Sequence, residues 1–126
     1  MLRTGMATAV GVSNISVVYL YVRDMERSLA FYRDMLGIPL EGDEHWAEAT
    51  FPGGTRFALH TAHEGIGELS SGTVNISLEV EDAGAAAALL RERGTDVRDA
   101  VSDSWGTAVD VVDPDGYIVS LFQRPA

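Results

Sequence analysis

Residues 15–37 read ISVVYLYVRDMERSLAFYRDMLG, and they spell a strand, a cap and a helix in that order. Val18, Leu20 and Val22 alternate with Val17, Tyr19 and Tyr21, the period-two pattern of a strand. β-branched and aromatic side chains suit such a pleated surface. Asp24 follows, where a carboxylate accepts from the first free N–H groups of a helix. Met25, Leu29, Tyr32 and Leu36 then recur at spacings of four, three and four, which predicts one apolar helical face. Gly37 suits the left-handed conformation that ends a helix.

The same order returns at residues 74–94, VNISLEVEDAGAAAALLRERG. Val74, Ile76, Leu78 and Val80 alternate with Asn75, Ser77 and Glu79, Asp82 stands at the cap, Ala86, Leu89 and Leu90 form the stripe, and Gly94 closes. Asp24 and Asp82 lie 58 positions apart, and Gly37 and Gly94 lie 57 apart. So small a slip marks an internal repeat.

Each half continues alike. After Gly37 come Ile38-Pro39-Leu40, a polar turn at 41–44, a strand from His45 to Phe51, the turn Pro52-Gly53-Gly54 and a strand from Thr55 to Thr61. After Gly94 come a short strand at Val97, a polar loop from Asp99 to Ser104, a strand from Gly106 to Val112, the tight turn Asp113-Pro114-Asp115-Gly116 and a strand from Tyr117 to Gln123. The expected fold is therefore α+β, with two βαβββ modules, 14–62 and 73–124, in a single domain from 14 to 126. In each module the helix must cover one face of a mixed sheet. The other faces, side by side, make a cup.

A chain of 126 residues with 46% hydrophobic content is long enough for one domain and a sizeable core. With no cysteine, disulfides, thiolate nucleophiles and thiolate metal sites are excluded. No run approaches the length of a membrane span. Residues 1–13 make a poor signal peptide and read as a flexible leader, so a cytoplasmic location is expected. The net charge is −10, and there is no lysine. Residues 64–126 carry 12 acids against 4 arginines, and residues 1–63 carry 7 against 5. That balance opposes nucleic-acid binding, which needs basic surface, and favours a cationic partner through the summed field.

These residues resemble the vicinal oxygen chelate superfamily, which holds glyoxalase I, extradiol dioxygenases and the fosfomycin- and bleomycin-resistance proteins. The likeness is carried by VxDxxxSxxFYxxxLG at Val22–Gly37, the opening of the second module from Asn75 to Asp82, Trp105-Gly106, and DPDGxxxxL at Asp113–Leu121. It implies paired βαβββ modules forming one cup-shaped mixed sheet, and usually a homodimer with clefts built by both chains.

Many such enzymes hold a divalent metal with four cup-face side chains. The resemblance puts those four places at Val17, His60, Asn75 and Ser120. Valine has no donor atom, and Asn and Ser are poor transition-metal ligands. Catalytic sites use about three protein ligands, so no metal and no other cofactor is expected here.

Strand parity then names the rest of the cup. Val17 brings Tyr19 and Tyr21; His60 brings Arg56; Asn75 brings Ser77 and Glu79; Ser120 brings Ile118 and Phe122. Trp46, Glu48, Trp105 and Asp110 complete the ligand-binding candidates. Such a surface suits a flat, partly cationic organic molecule. The expected function is a metal-independent small-molecule binder of the bleomycin-resistance type, acting by sequestering an antibiotic or natural product. The alternative is a glyoxalase-like lyase, isomerase or dioxygenase that uses His60, with Glu79, as acid, base or ligand.

Overall fold

The computed structural model describes residues 16–62 and 76–126. The expected leader, the connection between modules and Asn75 lie outside the described residues. Eight strands and two helices follow the anticipated order: β1 Val18–Val22, α1 Met25–Leu29, β2 Glu41–Gly42, β3 Trp46–Thr50, β4 Arg56–Thr61, β5 Ile76–Glu79, α2 Ala83–Glu92, β6 Val101–Asp103, β7 Gly106–Val112 and β8 Ile118–Gln123. They form two four-stranded mixed sheets, ordered β1-β4-β3-β2 and β5-β8-β7-β6. In each sheet the first strand pairs parallel with the last, and the rest run antiparallel. The α+β fold of two repeated modules is thus as anticipated.

The repeat extends to its punctuation. Asp24 accepts from the Arg27 amide and Asp82 from the Ala85 amide, each three residues on. Gly37 and Gly94 take φ of 80° and 82°, the left-handed conformation that ends a helix. Two details differ from the periodicity. Helix α1 runs on without a break into a wide π-helical segment, Ala30–Met35. The extra residue per turn lets the neighbours Phe31 and Tyr32 both point into the core, while Leu29 and Leu36 are half-buried. In α2 the buried face is Ala83, Ala87 and Leu90, and Leu89 is exposed.

The second module also differs where a polar loop was expected from Asp99 to Ser104. Val101–Asp103 instead pairs with the start of β7 as a hairpin, and Val97 makes an isolated bridge to Val111. An edge strand held by backbone pairing and one Ser102–Thr107 hydroxyl bond of 2.9 Å, with all its side chains exposed, leaves no apolar periodicity to read. Similarly, β2 falls at Glu41–Gly42, inside the expected polar turn. Gly42 is required there, because a Cβ would stand 1.9 Å from the Trp46 carbonyl oxygen.

One apolar cluster runs through both modules, including Val22, Tyr32, Phe57 and Leu59 from the first and Leu90, Val109, Val119 and Leu121 from the second. Polar groups also bridge them. The Tyr32 hydroxyl donates to the Asp113 carboxylate over 2.6 Å. Asp115, its side chain fully buried, receives Ser28 Oγ at 3.4 Å and the Arg27 guanidinium at 3.3 Å, with Arg23 Nη1 at 3.5 Å. Burial pushes Asp113 up from the ordinary carboxylate value, while the Tyr32 hydroxyl and the Tyr117 and Asp115 amides pull it down. Burial, then the nearby Asp113 charge, raises Tyr32 and Tyr117 above 10.0.

A tyrosine whose folded pKa is raised contributes stability that is fully present below its unfolded value of 10.0. That stability is lost as the pH climbs from there toward the folded value. Above pH 10 the domain should therefore lose about 1.4 kcal/mol per pH unit through Tyr32 alone. Urea unfolding from pH 9 to 11 checks this. A flat profile, or one unchanged by Tyr32→Phe, would contradict it. Among the described residues, no helix is long and apolar enough to cross a membrane.

Candidate functional site

The helix-free face of the first sheet carries alternate residues of β1, β3 and β4. Register places Tyr21 beside His60 across the parallel pair, and Trp46 beside His60 across the antiparallel one. Four rings gather as a result. Tyr19 lies 5.6 Å from Tyr21, 5.3 Å from Trp46 and 6.1 Å from His60, centroid to centroid. His60 lies 5.3 Å from Tyr21 and 5.7 Å from Trp46. Most of these contacts are edge-on or tilted, the preferred geometries for ring quadrupoles. Tyr19 keeps 42% of its surface exposed, and Tyr21, Trp46 and His60 are half-buried, so the cluster is open to solvent at Tyr19. Val17, just before β1, is half-buried.

A salt-bridged triad fixes the margin of this patch. Glu48 receives the Trp46 indole N–H at 2.8 Å and both Nε and Nη2 of Arg56 at 2.9–3.1 Å. The Arg56 guanidinium, then the indole, hold the Glu48 carboxyl below its ordinary value. The Tyr19 hydroxyl bond, with some burial, pushes Tyr21 above the ordinary phenol range. His60 Nδ1 lies 2.8 Å from the Thr61 carbonyl, which can only accept. The proton of a neutral His60 therefore sits on Nδ1.

The second sheet carries the remaining candidates. Ser120, nearly buried, pairs in register with Ser77 and with Asp110, and its hydroxyl donates to Asp110 at 2.6 Å. Phe122 pairs in register with Glu79 and is stacked on Trp105 at 6.3 Å. Exposed Glu79 is ion-paired with Arg124 Nε at 3.0 Å. Ile118 opens β8, half-buried. Arg124 was not named from the sequence, although it continues the alternation of Ile118, Ser120 and Phe122. His60 and Glu79, the expected acid–base pair, stand on separate sheets, and each has its own local partner.

Gly106 supports the Trp105–Phe122 stack. Its φ is +130°, and a Cβ there would lie 2.3 Å from the Gln123 carbonyl oxygen and 3.0 Å from the Phe122 ring. Gly106→Ala should thus cost about 1–3 kcal/mol of backbone strain and displace Phe122. Loss of near-ultraviolet circular dichroism together with a lower unfolding midpoint checks this. A wild-type midpoint would refute it.

A divalent metal, which many proteins resembling this one hold, does not fit these residues. Val17 offers no donor, Ser120 is bonded to Asp110, and among the described residues no three His, Asp or Glu side chains come together.

The sequence profile of the Glyoxalase/Bleomycin resistance protein/Dioxygenase superfamily matches residues 14–121, and the chain belongs to that superfamily. No curated protein gives a significant match. Among solved structures, TnmS3, an antibiotic binding protein from Streptomyces sp. CB03234, is 25% identical with a TM-score of 0.73, over 93% of this chain and 100% of that one. A glyoxalase/bleomycin resistance protein from the same Streptomyces is 27% identical, with a TM-score of 0.66 over 83% and 96% of the two chains. A glyoxalase/dioxygenase from Nostoc punctiforme has a TM-score of 0.75 over the full length of both chains; at 20% identity it speaks for the fold alone.

Proposed function

We propose that this protein binds a planar organic small molecule, an antibiotic or related natural product, and acts by sequestering it without a metal. The observation that carries the reading is the ring cluster of Tyr19, Tyr21, Trp46 and His60 on one open sheet face. A preformed set of rings, Tyr19 exposed and the other three half-buried, stacks on a flat ligand at little entropic cost. The printed role of TnmS3, antibiotic binding, supports the same direction. Charge refines the ligand. Glu48 and Glu79 are balanced by Arg56 and Arg124, so close contacts with the rings favour an uncharged plane. Asp110, with no arginine pairing it among the described residues, and the net charge of −10 favour a basic substituent over an acidic one.

The test is titration of planar polycyclic natural products, neutral and cationic, followed by tryptophan fluorescence. Micromolar affinity, about −8 kcal/mol, with a changed tryptophan signal is expected. Absence of any response, or preference for anionic thioesters or glutathione conjugates, would favour the enzyme reading. That reading has one specific support: the Thr61 carbonyl accepts from Nδ1 of His60 and so orients its ring beside Tyr19, Tyr21 and Trp46.

We also propose a homodimer working in the cytoplasm. Each sheet ends in a strand, β1 or β5, whose outer edge is unpaired among the described residues. A second copy would cover such edges and complete the clefts. Sedimentation at micromolar concentration should give twice the 13.5 kDa chain mass; a monomer would reject the dimer.

A further inference from the structure

The internal repeat sets the same turn opposite the other module's helix twice, and the two places differ. The β3–β4 turn, Phe51-Pro52-Gly53-Gly54-Thr55, and the β7–β8 turn, Asp113-Pro114-Asp115-Gly116-Tyr117, are one structure. In the first, the Phe51 amide donates to the Thr55 carbonyl at 2.9 Å and Gly54 to the Phe51 carbonyl at 2.8 Å. In the second, Asp113 donates to Tyr117 at 2.8 Å and Gly116 to Asp113 at 3.0 Å. Gly54 and Gly116 share φ of 97° and 93°. Phe51 therefore answers to Asp113, and Gly53 to Asp115. By the capping aspartates, Arg27, Ser28 and Tyr32 of the first module answer to Ala85, Ala86 and Leu90 of the second.

On one side the turn is pinned. Asp113 takes the Tyr32 hydroxyl, and Asp115 takes Ser28, Arg27, Arg23 and, at 3.3–3.4 Å, the Arg23 backbone amide. On the other side neither partner has the chemistry. Phe51 and Gly53 carry no carboxylate, and Ala85, Ala86 and Leu90 carry no donor. Facing them is a cavity of about 1100 Å³ that is lined by Phe51, Gly53, Ala86 and Leu90 and reaches Glu79 and Arg124, whereas the hollow beside the pinned turn is about 420 Å³.

From this asymmetry we infer that the molecule is hinged between its modules. The Asp113–Asp115 turn on α1 is the pivot, and the Phe51–Thr55 turn facing α2 is the side that opens and closes. Several directed bonds to buried carboxylates fix angle as well as distance, whereas Phe51, Gly53 and the alanines opposite them offer no directed side-chain bond. A movement about this pivot changes the angle between the two sheets that carry the aromatic and polar candidates. The cup would then be adjustable in width while each half stays rigid.

The chain has no cysteine, so paired labels can be introduced cleanly. Ala30→Cys with Arg93→Cys places two exposed labels beside the pinned turn, and Thr55→Cys with Ala85→Cys places two across the open side. Labelled chains are diluted in unlabelled protein, and spin–spin distance distributions are measured. We expect a narrow distribution for the first pair and one at least twice as wide for the second. Asp115→Ala should broaden the first pair while far-ultraviolet circular dichroism stays unchanged. Should Asp115→Ala fail to fold, Arg23→Gln with Arg27→Gln, whose side chains are half exposed, must give the same broadening. A second pair as narrow as the first, or a first pair indifferent to loss of the pinning groups, overturns the hinge.

Discussion

Tyr32→Ala should leave the domain largely unfolded or within a few kcal/mol of unfolding. Tyr32 is completely buried, its ring 4.9 Å from Phe31 and 5.6 Å from Phe57, at the place where the two modules share their core. Truncating a buried aromatic costs about 3–5 kcal/mol through lost transfer energy and the cavity left behind. The same change removes the hydroxyl donor to Asp113, whose carboxylate stays buried. A buried acceptor stripped of a partner adds about 1–3 kcal/mol. Against a total stability of about 5–15 kcal/mol, the sum takes most of what holds the chain folded. Tyr32→Phe separates the two contributions, since it keeps the ring and loses the hydroxyl alone. Equilibrium urea unfolding of the three proteins decides the matter. A Tyr32→Ala midpoint near wild type would show that the bridge between modules carries little energy.

The second large effect is on binding. Tyr19→Ala and Phe122→Ala should each weaken a planar ligand about tenfold or more, close to 1.4 kcal/mol, while the unfolding midpoint moves little. Tyr19 is suited to this test because it is 42% exposed, so its removal opens no core cavity. Its ring contacts with Tyr21 and Trp46 also preorganise the patch. Such contacts contribute about 0.5–1.5 kcal/mol each beyond their buried area. The two substitutions lie on different sheets, so they should combine additively unless one changes the angle between the sheets. Calorimetric titration measures both without depending on the tryptophans. Unaltered affinity in Tyr19→Ala would move the ligand away from the ring cluster altogether.

Much of this could be read in the chain itself. Period-two alternation in 17–22 and 76–80, the capping aspartates and the closing glycines are local features, decided within a few residues. They determined the two modules, their order and the face on which Tyr19, Tyr21 and His60 would lie. Parity also tied Arg56 to His60 and Trp46 to Glu48, because strand geometry leaves a side chain two choices only; the β3–β4 register then brings the two pairs together.

What tertiary structure decided were the matters that no local period records. The π-helical segment Ala30–Met35 carries Phe31 and Tyr32 into the core together, and the Tyr32 hydroxyl reaches the second module's turn. The edge strand Val101–Asp103 exists because β7 offers its backbone, not because its side chains ask for burial. The partners of the cup's carboxylates, Arg56 for Glu48 and Arg124 for Glu79, are set by register between strands, with Arg124 directly after β8. Above all, Asp113 and Asp115 read from the sequence as an ordinary tight turn. Only folding carries that turn across 81–92 positions of chain onto Tyr32, Ser28, Arg27 and Arg23 and converts two solvated acids into the buried joint between the modules.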